Sequence, residues 1–157
     1  MSFASDVVRH SRTTYRGLLR PADNVNIKHS MPIEASKILL IEDESDLQKM
    51  YGLAFAKTGY SLLQARDGAT GLQIAKDNHP DLILLDIFMP GMDGLEVLKH
   101  LKADPVLAKI PVVMLTNYTR EDTLKKALAL GARDVIIKTD IVPRELVDRI
   151  KNKYLAS

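Results

Sequence analysis

The chain has 157 residues, 46% of them apolar and 27% charged, the balance of a globular protein long enough for one well-filled core. It contains no cysteine, which excludes disulfides, thiolate metal centres and cysteine nucleophiles, and its longest apolar runs are far too short to span a membrane. The formal charge of +2 is unevenly placed: residues 1–30 hold Arg9, Arg12, Arg16, Arg20 and Lys28 against only Asp6 and Asp23.

That first stretch has little periodicity beyond a short helical pattern at Val7 to Leu19, and Pro21 to Pro32 is polar and irregular. Residues 1–35 are therefore expected to form a basic N-terminal arm, flexible or partly helical, and residues 36–157 the folded domain. The arm suits a solvated tail; contact with nucleic acid, an anionic membrane or an acidic partner is the competing reading. Met31, just ahead of the first strand, leaves open a shorter chain that starts there. Residues 1–30 lack the apolar core of a signal peptide, so a cytoplasmic location is expected.

From Lys37 the pattern is regular. Ile38 to Ile41 is a short apolar run, the first expected strand, and a helix follows from Ser45 to Lys57 with Leu47, Met50, Tyr51, Ala54 and Phe55 at helical spacing and Gly59 as its stop. Tyr60 to Ala65 reads as a strand, Ala69 to Asn78 as a helix closed by Pro80, and Leu82 to Leu85 as a strand buried on both faces. Leu95 to Ala103 is helical, Val112 to Leu115 a strand behind Pro111, Glu121 to Leu130 a helix ended by Gly131, and Val135 to Ile137 a strand. Pro143 opens the last helix, with Leu146, Val147, Ile150 and Tyr154 on its inner face.

Strands alternating with helices in this way predict an α/β fold with a parallel sheet covered on both faces. The expected arrangement is a flavodoxin-like doubly wound five-stranded sheet of order 2-1-3-4-5, whose switch point lies between the first and third strands. The segments after Ile41 and after Leu85 should then face each other across one crevice. The first of these, Glu42-Asp43-Glu44-Ser45-Asp46, has no glycine and is anionic, so it cannot cradle a phosphate with backbone amides. Glu42, Asp43 and Asp86 instead place three carboxyl groups at one end of the sheet. Such a set must either raise its pKa values or bind a cation, and oxygen-only ligands favour Mg2+ with several retained waters. Glu44 and Asp46 are read as complements to a helix dipole, with Ser45 as the N-cap.

Thr116 and Lys138 follow the fourth and fifth strands on the same side of the sheet. A carboxylate nucleophile, a hard cation, a hydroxyl donor and an ammonium are what an aspartyl phosphate requires. The runs Ile-Leu-Leu-Ile-Glu-Asp-Glu at 38–44, Leu-Ile-Leu-Leu-Asp-Ile-Phe-Met-Pro-Gly-Met-Asp-Gly at 82–94 and Pro-Val-Val-Met-Leu-Thr at 111–116, with Gly131-Ala132 and Lys138, resemble the CheY-like response-regulator receiver domain of two-component signalling. The resemblance covers about residues 36–155. It implies that Asp86 accepts a phosphoryl group from a sensor histidine kinase or a histidine phosphotransfer protein. It further implies that Asp43, Asp86 and the Phe88 backbone carbonyl ligate Mg2+ with help from Glu42, that Thr116 is the switch hydroxyl, and that Lys138 binds phosphate.

Three positions depart from the family pattern. Thr139 stands where a proline in a cis peptide commonly follows the lysine, so a trans or strained peptide is expected. Val135 replaces an aromatic residue that swings inward as the threonine moves. Asn117 and Tyr118 follow Thr116 where a small residue is usual first, and Tyr118 with Phe88 should hinder water at the phosphate. A stand-alone receiver that signals by phosphorylation-dependent protein binding is expected, since Ser157 closely follows the last helix. An intermediate carrier in a phosphorelay, and nucleic-acid binding through the arm, are the alternatives. A homodimer through the fourth helix, fifth strand and fifth helix fits Lys125, Lys126, Asp134, Arg144 and Asp148. A phosphatase with an aspartyl intermediate would need a second acid where Phe88 stands.

Overall fold

A computed structural model describes residues 34–156; the expectations for residues 1–33 lie outside them. The strands are β1 (Lys37–Ile41), β2 (Ser61–Ala65), β3 (Leu82–Asp86), β4 (Val112–Thr116) and β5 (Asp134–Ile137). The helices are α1 (Ser45–Phe55), α2 (Gly68–Asn78), α3 (Gly94–Ala103), α4 (Glu121–Ala129) and α5 (Pro143–Arg149). The sheet is parallel throughout, in the order β2-β1-β3-β4-β5, as the apolar runs and turn signals imply.

The register explains how five-residue runs such as LILLD suffice for a core. Successive side chains point to opposite faces, so each central strand serves two layers. Leu39, Ile41, Ile83, Leu85, Val112 and Met114 pack with Ala75, Val97, Leu98, Leu101 and Ala127 of α2, α3 and α4. Ile38, Leu40, Leu82, Leu84, Val113 and Leu115 pack on the other face with Tyr51, Phe55, Leu146, Val147 and Ile150. Ile38 to Ile41 and Leu82 to Leu85 are fully buried, and at about 25 cal/mol per Å2 of apolar surface each such side chain contributes roughly 1.5–3 kcal/mol.

Several boundaries differ from the sequence reading for local reasons. Ser45 is not the N-cap of α1: Glu44 holds that position in an extended conformation and makes no side-chain cap, because the first helical bond runs from the Gln48 amide to the Glu44 carbonyl. The helix stops at Phe55 rather than Lys57, since the Thr58 hydroxyl and amide both donate to the Phe55 carbonyl. After α5 the chain widens into a π-helical turn, Ile150–Tyr154, that keeps Ile150 buried. Two short 3-10 turns, Leu107–Lys109 and Lys138–Asp140, carry no periodicity that a sequence reading could detect. No cis peptide occurs among the described residues, so the Lys138–Thr139 bond is trans.

Candidate functional site

Asp86 is the last residue of β3, and the turn after it is closed tightly. The Ile87 amide donates to Leu115 at 3.2 Å and the Gly94 amide to Ile87 at 2.7 Å. The start of α3 therefore crosses directly behind Asp86. A Cβ at Gly94 would lie 2.0 Å from the Asp86 carbonyl oxygen, so only glycine fits. Asp93 caps α3 by accepting the Glu96 amide, which fixes where that helix begins.

The topology brings the ends of β1, β3 and β5 together. Lys138, at the end of β5, points its ammonium between two carboxylates: Nζ lies 2.6 Å from Glu42 Oε2 and 3.2 Å from Asp86 Oδ1. All three side chains are at most 7% exposed. The Phe88 amide donates a long bond of 3.4 Å to the same Asp86 Oδ1. Among the described residues, Oδ2 is thus the Asp86 oxygen with no donor. Glu42 Oε1 accepts the Glu44 amide at 3.2 Å, so both oxygens of Glu42 are engaged.

Glu42, Asp43 and Asp86 each offer a carboxylate oxygen within 4.8 Å of the others. Burial and the nearby Glu42 charge push the Asp86 carboxyl up to about 6, against the opposing pull of Lys138. Burial works against the Lys138 ammonium, but its hydrogen bond to Glu42 and the charges of both acids outweigh that and raise its pKa. The lysine is therefore charged at all ordinary pH. The site thus sets an excess of acidic groups, three carboxyls against one ammonium. Three hard oxygen ligands and that excess fit a divalent cation such as Mg2+.

A cavity of about 210 Å3 opens onto these groups and is also lined by Glu44, Phe88, Asn117 and Tyr118. Phe88 and Tyr118 stack, with ring centroids 3.8 Å apart and planes inclined by 29°. Each is about half exposed. They bridge the loop after β3 and the loop after β4.

Glu42, Asp43, Asp86, Phe88 and Lys138 thus share one pocket. Thr116 does not line it: its side chain is fully buried at the end of β4, and its hydroxyl accepts the Tyr118 amide at 3.0 Å. It pairs with Ile137 across the sheet, one residue before Lys138. Val135 is half-buried against the layer formed with α2, α3 and α4.

Tyr51 was legible only as an apolar-face residue of α1. Its phenol pKa is raised by burial, and it feels the charges of Lys138, Glu42 and Asp86. Gly94 stood in the recognised run without a role; a glycine directly behind a capping Asp93 is the signal of a close approach. A second charge cluster lies on the edge strand. Asp134 Oδ2 accepts Lys153 Nζ at 2.7 Å, Arg149 Nη2 at 3.1 Å and the Tyr154 hydroxyl. Desolvation opposes it, but the Lys153 and Tyr154 hydrogen bonds hold the Asp134 carboxyl down at about 2.

Comparison with known proteins adds a lineage to this geometry. The family profile described as the response regulator receiver domain matches residues 38–151. The phosphate regulon transcriptional regulatory protein PhoB of Pseudomonas aeruginosa is 40% identical over 114 residues, covering 73% of this chain and 49% of that protein. Sporulation initiation phosphotransferase F of Bacillus subtilis is 36% identical over 119 residues, covering 76% of this chain and 93% of its own length. Among solved structures, the phosphorylated cyanobacterial phytochrome response regulator RcpA superposes with a TM-score of 0.69 at 30% identity, covering 78% of this chain and 95% of its own. The chain spans about half or less of the length of the first curated relatives it matches.

Proposed function

The chain belongs to the response regulator receiver family, and from that premise we propose that Asp86 accepts a phosphoryl group from the phosphohistidine of a sensor histidine kinase or a histidine phosphotransfer protein. The observation that carries the reading is the convergence of Asp86, Glu42, Asp43 and Lys138 on one pocket. Asp86 Oδ2, the oxygen without a donor, attacks phosphorus; the O–P bond forms as the P–N bond to the imidazole breaks, and the electron pair leaves with the ring nitrogen. Lys138 stays protonated and compensates charge on the phosphoryl oxygens. Thr116 holds its oxygen on the Tyr118 amide and keeps its proton free to donate to the same oxygens.

Glu42, Asp43, Asp86 and the Phe88 carbonyl would hold Mg2+, with Glu42 acting through water because Lys138 and the Glu44 amide already occupy its two oxygens. When bound, the ion supplies charge neutralisation to the carboxylates and the incoming phosphoryl oxygens. The protein is then a phosphoacceptor that catalyses only its own phosphorylation and dephosphorylation. Its output is a two-state change of the surface formed by α4, β5 and α5, read by a partner protein. Among the described residues no helix is long and apolar enough to cross a membrane.

A second reading, a carrier within a phosphorelay, is favoured by one observation: the sporulation phosphotransferase is matched over 93% of its length. Phosphate passing in both directions between this chain and a purified phosphotransfer protein distinguishes the carrier. Nucleic-acid binding through residues 1–30 would show as salt-dependent affinity lost on removing them. The central test is incubation with acetyl phosphate, or with beryllofluoride, in Mg2+. Wild type is modified and Asp86→Asn is not; equal behaviour of the two overturns the proposal.

A further inference from the structure

Gln48 is the buried polar side chain whose place in α1 the charge chemistry leaves unexplained. It lies one turn into the helix, is 8% exposed, and sits among the apolar positions Leu47 and Tyr51 that pack against the sheet. Its side-chain nitrogen donates twice, to the Glu42 carbonyl and the Ala65 carbonyl, each at 2.7 Å.

Both acceptors lie where the sheet runs out. The β1–β2 register ends at Ile41 opposite Ala65, and the Glu42 amide still reaches the Ala65 carbonyl at 3.0 Å. The Glu42 carbonyl has passed the last strand pair, and Gln48 supplies its donor. That carbonyl belongs to the peptide joining Glu42 to Asp43. Fixing its plane fixes the backbone directions from which both acidic side chains leave. An unconstrained peptide there would let Asp43 turn away from Asp86, since nothing else among the described residues bonds the Asp43 side chain.

We infer that Gln48 is a positioning residue for cation binding: its carboxamide clamps the Glu42–Asp43 peptide to the end of β2 and so holds the acidic pair against Asp86. The inference rests on the proposed cation site but not on phosphoryl transfer. Partners outside the ligand shell that orient ligands typically change metal affinity by about 10- to 100-fold. Gln48→Met keeps the length and removes both donors. Gln64→Met is its control, because Gln64 donates to the backbone carbonyl of Gln48 at 2.8 Å and ties β2 to α1 without touching Glu42.

The test is Mg2+ titration by calorimetry on the full chain, with acetyl phosphate labelling of Asp86 in parallel. Gln48→Met should weaken Mg2+ binding by about 10-fold or more, Gln64→Met should leave it unchanged, and excess Mg2+ should restore labelling in Gln48→Met. Equal Mg2+ affinity in all three proteins, with wild type still labelled, overturns the role of Gln48 and spares the phosphoacceptor reading. Absent labelling with the affinity pattern intact does the reverse. Should Gln48→Met fail to fold, wild-type NMR decides: the Gln48 carboxamide protons should shift on Mg2+ addition while those of Gln73, bonded at the surface to Asp77, do not. Unmoved Gln48 signals refute the inference.

Discussion

Replacing Asp86 by asparagine should stabilise this protein, because the proposed nucleophile is held in a place that disfavours its ionised form. The carboxyl titrates at about 6 in the fold, raised first by burial and then by Glu42, against roughly 3.9 for an unfolded aspartate. The folded state therefore binds the proton more tightly, and stability falls as pH rises from about 4 to about 6. Above that window the ionised group costs up to about 3 kcal/mol. Asparagine removes that cost and keeps an acceptor for the Phe88 amide, but it takes one ionic partner from Lys138. A net gain of about 1–3 kcal/mol follows, which for a domain of this size raises the melting temperature by roughly 4–10 °C. The assay is thermal unfolding in EDTA at pH 7.5 and at pH 4.5, repeated with Mg2+. The advantage of Asp86→Asn should be large at the higher pH, shrink at the lower one, and narrow when Mg2+ binds the wild type. A variant that melts at or below wild type at pH 7.5 in EDTA, or a gap that ignores pH, refutes the reasoning.

The opposite change at the same contact is costly: Lys138→Met leaves Glu42 and Asp86 buried without their cation, so denaturant unfolding in EDTA should show a loss of about 3–5 kcal/mol, partly recovered in Mg2+. Asp134, held at about 2 by Lys153 and Tyr154, contributes stability above about pH 4 that disappears as pH falls toward 2; after allowance for its half-exposed cationic partners, this is about 1–2 kcal/mol. Acid unfolding of Asp134→Asn should lack that component. Burial and Asp134 push the Tyr154 phenol up to about 12, so the stability it adds persists below pH 10 and fades toward 12; ultraviolet titration of Asp134→Asn should find the phenol ionising earlier. The stacked rings beside the pocket should slow attack by water on the aspartyl phosphate, so the Phe88→Ala/Tyr118→Ala protein should lose phosphate several-fold faster, and equal lifetimes would exclude that role.

The sheet was legible because β1, β3 and β4 are buried on both faces, which makes them apolar runs, and because short connections leave one sensible winding. Once that order is granted, Asp86, Glu42, Asp43 and Lys138 must meet, each being at or just beyond a strand end on the same edge. Legibility stops where the backbone turns by hydrogen bonds with no compositional signature. Ser45 carries the residue type of a cap but not the position, since the chain reaches the helix through Glu44. Thr58 closes α1 ahead of the glycine that looked like its stop. Gln48 reads as a polar interruption of an apolar face, and only the sheet's end shows that its amide is needed there.

Thr116 marks the same limit at the site itself. Its position at the end of β4 follows from the strand, yet its relation to the pocket depends on a loop whose path is set by the Tyr118 amide and the Phe88–Tyr118 stack. Tyr118 thereby joins the Thr116 hydroxyl, through its own amide, to a ring that lines the same pocket as Asp86, while Val135 offers only a short branched side chain packed into the core layer. A phosphoryl group drawing the Thr116 hydroxyl toward Asp86 would pull on Tyr118 through that amide, and so on the loop leading into α4. On that proposal, coupling from site to surface would run through the residue two positions after the threonine, where this chain carries its aromatic ring, rather than through the strand position held by Val135.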